Sequence, residues 1–485
     1  MPLQSRQNPI IDPDNLVLDA DSYKASHYRQ YPPQTRHVQS YIEPRAAAPG
    51  GVNYTLFFGL QAYLQQYLSR RVTSEMVEEA DQVLTAHGEP FNRVGWQHIV
   101  DRHDGRLPVR VKAVREGSII PVRHAQLTIE NTDPACYWLT SYLETSLLRA
   151  VWYPTTVATN SWHYVQAISD ALELTDGSRE GAEFKLVDFG ARGATSKEQT
   201  GLGGMAHMVA SLSSDTLQGL VYARNFYDAD MAAFSIPASE HSTMTCWGGE
   251  AGEAEAFTNM LRAYPTGLIS VVSDSYDLMR AINQHWGETL RQAVLDRDGV
   301  LVVRPDSGEP TQIVPQVIEA LMDKFGYSTT TQGYRLLNDK VRVIQGDGID
   351  GQSLVDILDV MKARGLAIGN ITFGMGGGLL QKVNRDTFSY AMKANAIQIG
   401  EYWHQVYKDP VTSQGTKTSK RGRLALTWSD RQGYVTHENC DGAVGGDLLE
   451  TVFEDGEIKR WQSFDEVKAQ ARTSWTQYQD FQRRS

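Results

Sequence analysis

Hydrophobic and polar positions alternate in two different rhythms along this chain. Through its middle, short runs of β-branched and apolar residues break abruptly into polar or glycine tips. The runs are FKLVDFGARG (184–193), GLVYARN (219–225), FSIPASEHS (234–242), LISVVSDSYD (268–277), VLVVRPDSG (300–308), VRVIQGDGID (341–350) and NITFGMGGG (370–378). Stretches with helical spacing lie between most of them, such as QIVPQVIEALMDKF (312–325) and GQSLVDILDVMKARG (351–365). Strands alternating with helices predict parallel strands joined by crossovers. Near-continuous apolar strands predict a sheet covered on both faces. Asp and Ser at such tips also serve as helix N-caps. Tips that include Arg, His and several Asp point instead to the active face of a β/α barrel, at the C-terminal strand ends.

The flanks read differently. NLVLDADSY, VQSYIE, LPVRVKAV and GSIIPVR look like strands, while YTLFFGLQAYLQQYLS and CYWLTSYLETSLLRAVWY have helical spacing. GRLALTW, GYVTHE and LLETVFEDGEIKRWQSF return to strand-like pieces, the last a hairpin turning at Asp455-Gly456. The expected organisation is an arm at 1–14, an α+β domain at 15–154, a barrel at 155–400, and a segment at 401–485 packing back on the N-terminal domain.

Length and charge narrow the picture. The 485 residues suit two or three units, or one large barrel with additions. A net charge of −12 disfavours a global pull on nucleic acid or anionic lipid, so an anion must be held locally. Cys136, Cys246 and Cys440 are odd in number and far apart, as free thiols in a reducing compartment are. No histidine pair shows metal-ligand spacing. The N-terminus lacks an apolar core of signal-peptide length, and no run is long enough to span a membrane. A cytoplasmic protein is expected.

Candidate chemistry gathers at the tips. Residues 374–378 carry four glycines, and bare backbone N–H groups at a helix start can cradle a phosphate; a tight strand-to-helix turn has the same composition. Arg304 can clamp a phosphate or donate to a carbonyl, and Asp306 can take Mg²⁺ or ribose hydroxyls; a simple salt bridge between them is the alternative. Asp347 lies between glycines and suits close approach to a sugar, and Asp274 adds a further carboxylate. Arg45, Arg192, Lys382, Arg385, Lys393, Lys408 and Lys417 are ordinary surface charges unless several converge on a pyrophosphate. His241, beside Glu240, suits a general base, a phosphate acceptor or a satisfied structural histidine. Phe189 suits stacking on a planar ring or capping the core, and Tyr23 and Tyr28 offer another aromatic face.

The set DSYKASHYRQYPP (21–33), DFGARG (188–193), PASEHST (237–243), SVVSDSYD (270–277), VRPDSG (303–308), VIQGDGID (343–350) and FGMGGGLLQKVNRD (373–386), with KDPVTSQGTKTSKRGRL (408–424), resembles the nicotinamide phosphoribosyltransferases. The resemblance runs from about residue 15 to about residue 470, in the family's order. It implies the irregular β/α barrel of the type II phosphoribosyltransferases, with an α+β domain built from the N-terminal region and C-terminal tail. It implies a homodimer with shared active sites. The reaction implied joins nicotinamide to 5-phosphoribosyl-1-pyrophosphate with Mg²⁺, enhanced by ATP through a phosphohistidine. By the same resemblance, Phe189 and the partner's Tyr23 sandwich the pyridine ring. Asp215 accepts from the amide N–H₂ and Arg304 donates to the amide carbonyl. Asp306 serves Mg²⁺ and ribose, with Gly346 and Asp347 near the sugar. Gly376 and Gly377 hold the 5′-phosphate, which Arg385 and Lys393 reach across the interface. Arg45, Arg192, Lys408 and Lys417 serve the pyrophosphate or ATP side. His241 is the phosphorylated histidine, with Glu240 and Asp274 around it.

Three positions depart from the vertebrate pattern: Ala191 replaces an aromatic residue, and Met375 and Ala391 each replace Ser. The nearest rival is nicotinate phosphoribosyltransferase, disfavoured because a carboxylate at 215 repels a carboxylate base. A phosphosugar lyase or isomerase would want a lysine at a strand tip, and none of the tips ends in one. A non-catalytic binding protein would not need Asp306, Asp347 and the glycine tip together.

Overall fold

The computed structural model describes residues 11–410, 418–440 and 444–484. The chain divides into two compact units: Met1–Thr156 with Phe226–Asp228 and Asn384–Ser485, and Val157–Asn225 with Ala229–Val383.

The second unit is the barrel. Six strands pair in parallel, in the order Ser213–Ser214, Leu186–Asp188, Ile371–Met375, Val341–Gln345, Asp298–Arg304, Thr266–Val272. The two outer strands are joined through the segment 234–239. Phe234 bridges Ser213 and Ala238 bridges Ser270, both in parallel sense, and Ser239 N–H donates to the Ser270 carbonyl at 2.9 Å. The strands are apolar because both faces are covered: Val271, Leu301, Val303, Val343 and Phe373 are buried. Helix Pro310–Phe325 shows how the cover is made. Its buried Val314, Val317, Ile318, Leu321, Met322 and Phe325 recur at the spacing of one helical face.

One run that reads as a strand is a helix. GLVYARN lies within helix Leu217–Tyr227, and the strand of that repeat is only Ser213–Ser214. A short apolar run fits either period. Here packing decides: a Cβ on Gly219 would lie 2.7 Å from the Gly204 carbonyl carbon, so two helices touch backbone to backbone at paired glycines.

The first unit is built on an antiparallel sheet. Thr35–Glu43 pairs with Leu127–Asn131 on one side and Ala391–Ile399 on the other, and Val109–Ala113 joins Leu127–Asn131 to the hairpin strand Glu450–Glu454. Sequence reading carried the barrel to residue 400, but its compact unit ends at Val383 and strand Ala391–Ile399 belongs to this sheet. NLVLDADSY forms no strand. It makes 3₁₀ turns at Leu16–Leu18 and Ser22–Arg29, the first capped by Asn15, which accepts from Val17 N–H at 3.0 Å. YTLFFGLQAYLQQYLS splits into strand Tyr54–Leu56 and helical turns from Leu60 to Leu68. The hairpin does turn at Asp455-Gly456, both at positive φ (51° and 83°). Helix Phe464–Arg484, which the strand-like reading of the tail missed, ends the described chain.

Candidate active site

Four of the barrel strands deliver polar groups at or just past their last residues. Asp188 ends one strand and Phe189 follows; Asp215 follows Ser214; Asp274 lies two residues past Val272; Arg304 ends its strand with Asp306 beyond. A cavity of about 430 Å³ runs down the barrel from this rim. Phe189, Asp215, Ser235 and Arg304 line it, with Phe184, Lys185 and Arg342 also on its wall.

The base-binding candidates meet in this cavity. Asp215 Oδ1 accepts from the Ser235 hydroxyl at 2.5 Å. Burial pushes the Asp215 carboxyl above its usual range and neighbouring Asp188 adds to this, against the Ser235 hydrogen bond, Arg304 and Arg192. Arg304 contacts Asp306 Oδ2 at 3.3 Å, and its Nε is buried with no partner among the described residues. Asp188, which the motif alone assigns no role, is fully buried and structures the tip. Its Oδ1 accepts from Gly190 N–H at 2.7 Å, and its Oδ2 is buried with no partner among the described residues.

The glycines divide into two kinds. A Cβ on Gly374 would lie 2.1 Å from the Phe189 ring, and one on Gly346 would lie 3.0 Å from it. Both residues are therefore bare because the ring occupies that space. At Gly376 the nearest atom would be the Phe189 carbonyl oxygen at 3.5 Å, and at Gly377 the Gln381 side chain at 3.5 Å. The protein leaves room at these two, which precede and begin the short helix Gly377–Leu380.

A second cluster forms around Asp274. Its Oδ1 lies 3.0 Å from His241 Nε2, and its Oδ2 accepts from Asp306 N–H at 3.0 Å and from the Ser307 hydroxyl at 2.5 Å. His241 Nδ1 lies 3.9 Å from Asp306 Oδ2, and the ring is 44% exposed. Glu240 accepts from the Ser242 hydroxyl at the start of helix His241–Thr245. Arg192 and Asp347 are exposed at the rim, and Lys382 reaches Asp350 at 3.4 Å.

The remaining candidates belong to the first unit. Tyr23 is 54% exposed and packs edge-on against His27. Arg45 donates to the Ser389 carbonyl at 3.1 Å, and Arg385 pairs with Asp386 at 2.9 Å. Burial lowers the Lys393 pKa, partly offset by Glu144, while Lys408, Arg45 and Lys24 lower it further. Lys408 and Arg45 thus lie near enough to Lys393 to repel it. Lys417 lies outside the described residues.

The sequence profile described as the nicotinate phosphoribosyltransferase (NAPRTase) family matches residues 184–457. The chain belongs to that family, a family of pentosyltransferases. The profile described as the nicotinamide phosphoribosyltransferase N-terminal domain matches residues 15–111. The chain is 48% identical over 467 residues to a protein of Xanthomonas campestris pv. campestris named nicotinamide phosphoribosyltransferase, covering 94% of this chain and 98% of that one. A protein of the same name from Acinetobacter baylyi is 31% identical, with 94% and 96% covered. Among solved structures, nicotinate-nucleotide pyrophosphorylase from Pyrococcus furiosus aligns with a TM-score of 0.57 at 16% identity, covering 99% of each chain. Human nicotinic acid phosphoribosyltransferase aligns with a TM-score of 0.54 at 18% identity, covering 94% of this chain and 93% of that one. At these identities the structural likeness supports the barrel fold alone.

Proposed function

We propose that this chain joins nicotinamide to 5-phosphoribosyl-1-pyrophosphate, releasing nicotinamide mononucleotide and pyrophosphate. The observation that carries the reading is one cavity walled by an aromatic ring, a carboxylate and a guanidinium: Phe189, Asp215 and Arg304. A carboxamide offers an N–H₂ donor and a carbonyl acceptor on one planar ring. Asp215 accepts from the first, Arg304 donates to the second, and Phe189 stacks on the ring. Both relatives carry the same name.

The pyridine nitrogen is already nucleophilic and needs no general base. It attacks the anomeric carbon as the bond to pyrophosphate breaks, and both electrons leave with the pyrophosphate. Positive charge develops on the ribose and negative charge on the leaving group, so catalysis reduces to alignment and charge stabilisation. Gly376 and Gly377 take the 5′-phosphate, and Gly346 and Asp347 lie by the sugar. Arg192, Arg45, Lys408, Lys417, Arg385 and Lys393 supply cations for the phosphates, some of them from the second subunit of a homodimer. Mg²⁺, when bound, neutralises charge on the pyrophosphate. Asp274 is already engaged by His241, Asp306 N–H and Ser307. Asp306 and the exposed Asp347 are thus the oxygen donors that suit a hard cation. Asp274 holds His241 Nε2, which leaves Nδ1 as the nitrogen for a phosphoryl group from ATP.

The test is a product assay on purified protein with phosphoribosyl pyrophosphate, Mg²⁺ and equal nicotinamide and nicotinate, with and without ATP. Nicotinamide mononucleotide should dominate, and His241→Ala should abolish ATP stimulation while basal transfer persists. Nicotinic acid mononucleotide as main product would overturn the base assignment, and no product from either base would overturn the activity.

A further inference from the structure

The described residues hold one group of three metal-ligating side chains converging within 4.8 Å: His98, His103 and Asp133. It lies in the first unit, and no part of the proposed reaction uses it. Its sequence sign is one that the reading of histidine spacing passes over: His98 and His103 stand at H-x₄-H, within the range of zinc ligands. His98 and His103 are five residues apart in helix Arg93–His103, about 140° round the axis, and Asp133 is thirty residues further on. His103 is the last helical residue, before Asp104 and Gly105 turn the chain at φ 54° and 74°. There both imidazoles reach one oxygen: His98 Nε2 and His103 Nε2 each lie 2.7 Å from Asp133 Oδ2.

The carboxylate is aimed independently of the two rings. Its Oδ1 accepts from Ala135 N–H at 2.8 Å, and its backbone carbonyl accepts from Cys136 N–H at 2.9 Å and from Asn131 Nδ2 at 2.8 Å. A ligand fixed by such outer contacts is what a metal site requires. The side chains are 32%, 27% and 21% exposed, open to an ion yet partly dehydrated. Ligand atoms at about 2.0–2.2 Å around a tetrahedral zinc stand about 3.3 Å apart. Each imidazole nitrogen stands about 0.6 Å closer to the carboxylate oxygen than it would across such an ion, and all three donor atoms already lie within 4.8 Å of one another.

We propose that His98, His103 and Asp133 bind a divalent transition metal of the zinc type, as a two-histidine, one-carboxylate site with water completing the shell. The ion fastens the end of helix Arg93–His103 to the turn at Pro134. Nitrogen and oxygen donors in this ratio suit Zn²⁺ over Mg²⁺ or Ca²⁺.

The test uses the full chain, stripped with chelator and titrated with Zn²⁺ by calorimetry, with melting temperature followed in parallel. Wild type should bind one Zn²⁺ at this site and melt higher with it. His98→Ala and His103→Ala should each weaken that binding at least tenfold, and Asp306→Asn should not. His98→Gln separates metal from hydrogen bonding: its amide still donates to Asp133, so metal-free stability should hold while the Zn²⁺ gain disappears. Absence of Zn²⁺ binding in wild type overturns the proposal. So does undiminished binding in the histidine variants, which would leave the trio as a hydrogen-bonded clamp.

Discussion

Asp215 carries the argument at the scale of a residue. It combines burial, a serine partner and an opposing guanidinium in one cavity; burial, with Asp188, raises its pKa, while the serine hydroxyl and the guanidinium oppose that rise. Asp215→Asn should lower the nicotinamide-to-nicotinate ratio of kcat/KM by at least tenfold, as expected when one buried charge repulsion is removed. Because the carboxyl is raised, the wild-type ratio should also narrow as pH falls from neutral into the acid range, where protonation removes the repulsion. Competition assays at stepped pH read both effects. A ratio that neither the variant nor acid changes would remove Asp215 from its role as selector.

At the scale of an element, the strand-to-helix tip of residues 374–378 separates packing from binding. Gly374→Ala forces a methyl group into the Phe189 ring and should cost about 1–3 kcal/mol in urea unfolding. Adding Phe189→Leu should recover much of that loss, since the two sites share one space. Gly377→Ala meets only ordinary van der Waals contact at 3.5 Å. It should leave the urea midpoint unchanged and raise KM for phosphoribosyl pyrophosphate about tenfold or more. A large stability loss at 377 would assign that glycine to the turn instead of the phosphate.

The whole molecule is tested by sharing and by titration. Tyr23 lies in the first unit and is exposed, and the proposed dimer places it over the partner's Phe189. Tyr23→Ala and Phe189→Ala proteins should each be nearly inactive. Mixed after dissociation and reassociation, they should recover about a quarter of wild-type activity, since half the dimers are mixed and each mixed dimer has one intact site. No recovery would place both residues in one subunit's site. His124 gives a stability signature. Burial, with Lys420 adding repulsion, holds its pKa down at about 4. Between pH 6.5 and 4 the unfolded chain takes up a proton that the folded chain refuses, so stability falls as pH falls through that window. His124→Gln should flatten the slope of urea-derived stability there, leaving the part due to His27 and His163, which burial also lowers.

What the sequence determined by itself was the repeating unit and the chemistry at its tips. Apolar strands covered on both faces and polar strand ends are local patterns, so most of the barrel strands, Arg304 and the glycine tip were legible in the sequence, while Asp215 entered only through the family resemblance. Runs too short to declare a period were not legible: GLVYARN became a helix because Gly219 packs on Gly204, and NLVLDADSY became turns. Tertiary structure alone decided which glycines are bare for the Phe189 ring and which have room for a ligand. It alone put strand Ala391–Ile399 beside Thr35–Glu43. It alone brought His98 and His103 to Asp133. Each of these depends on distances between residues far apart in the chain, which neither hydrophobic period nor motif spacing encodes.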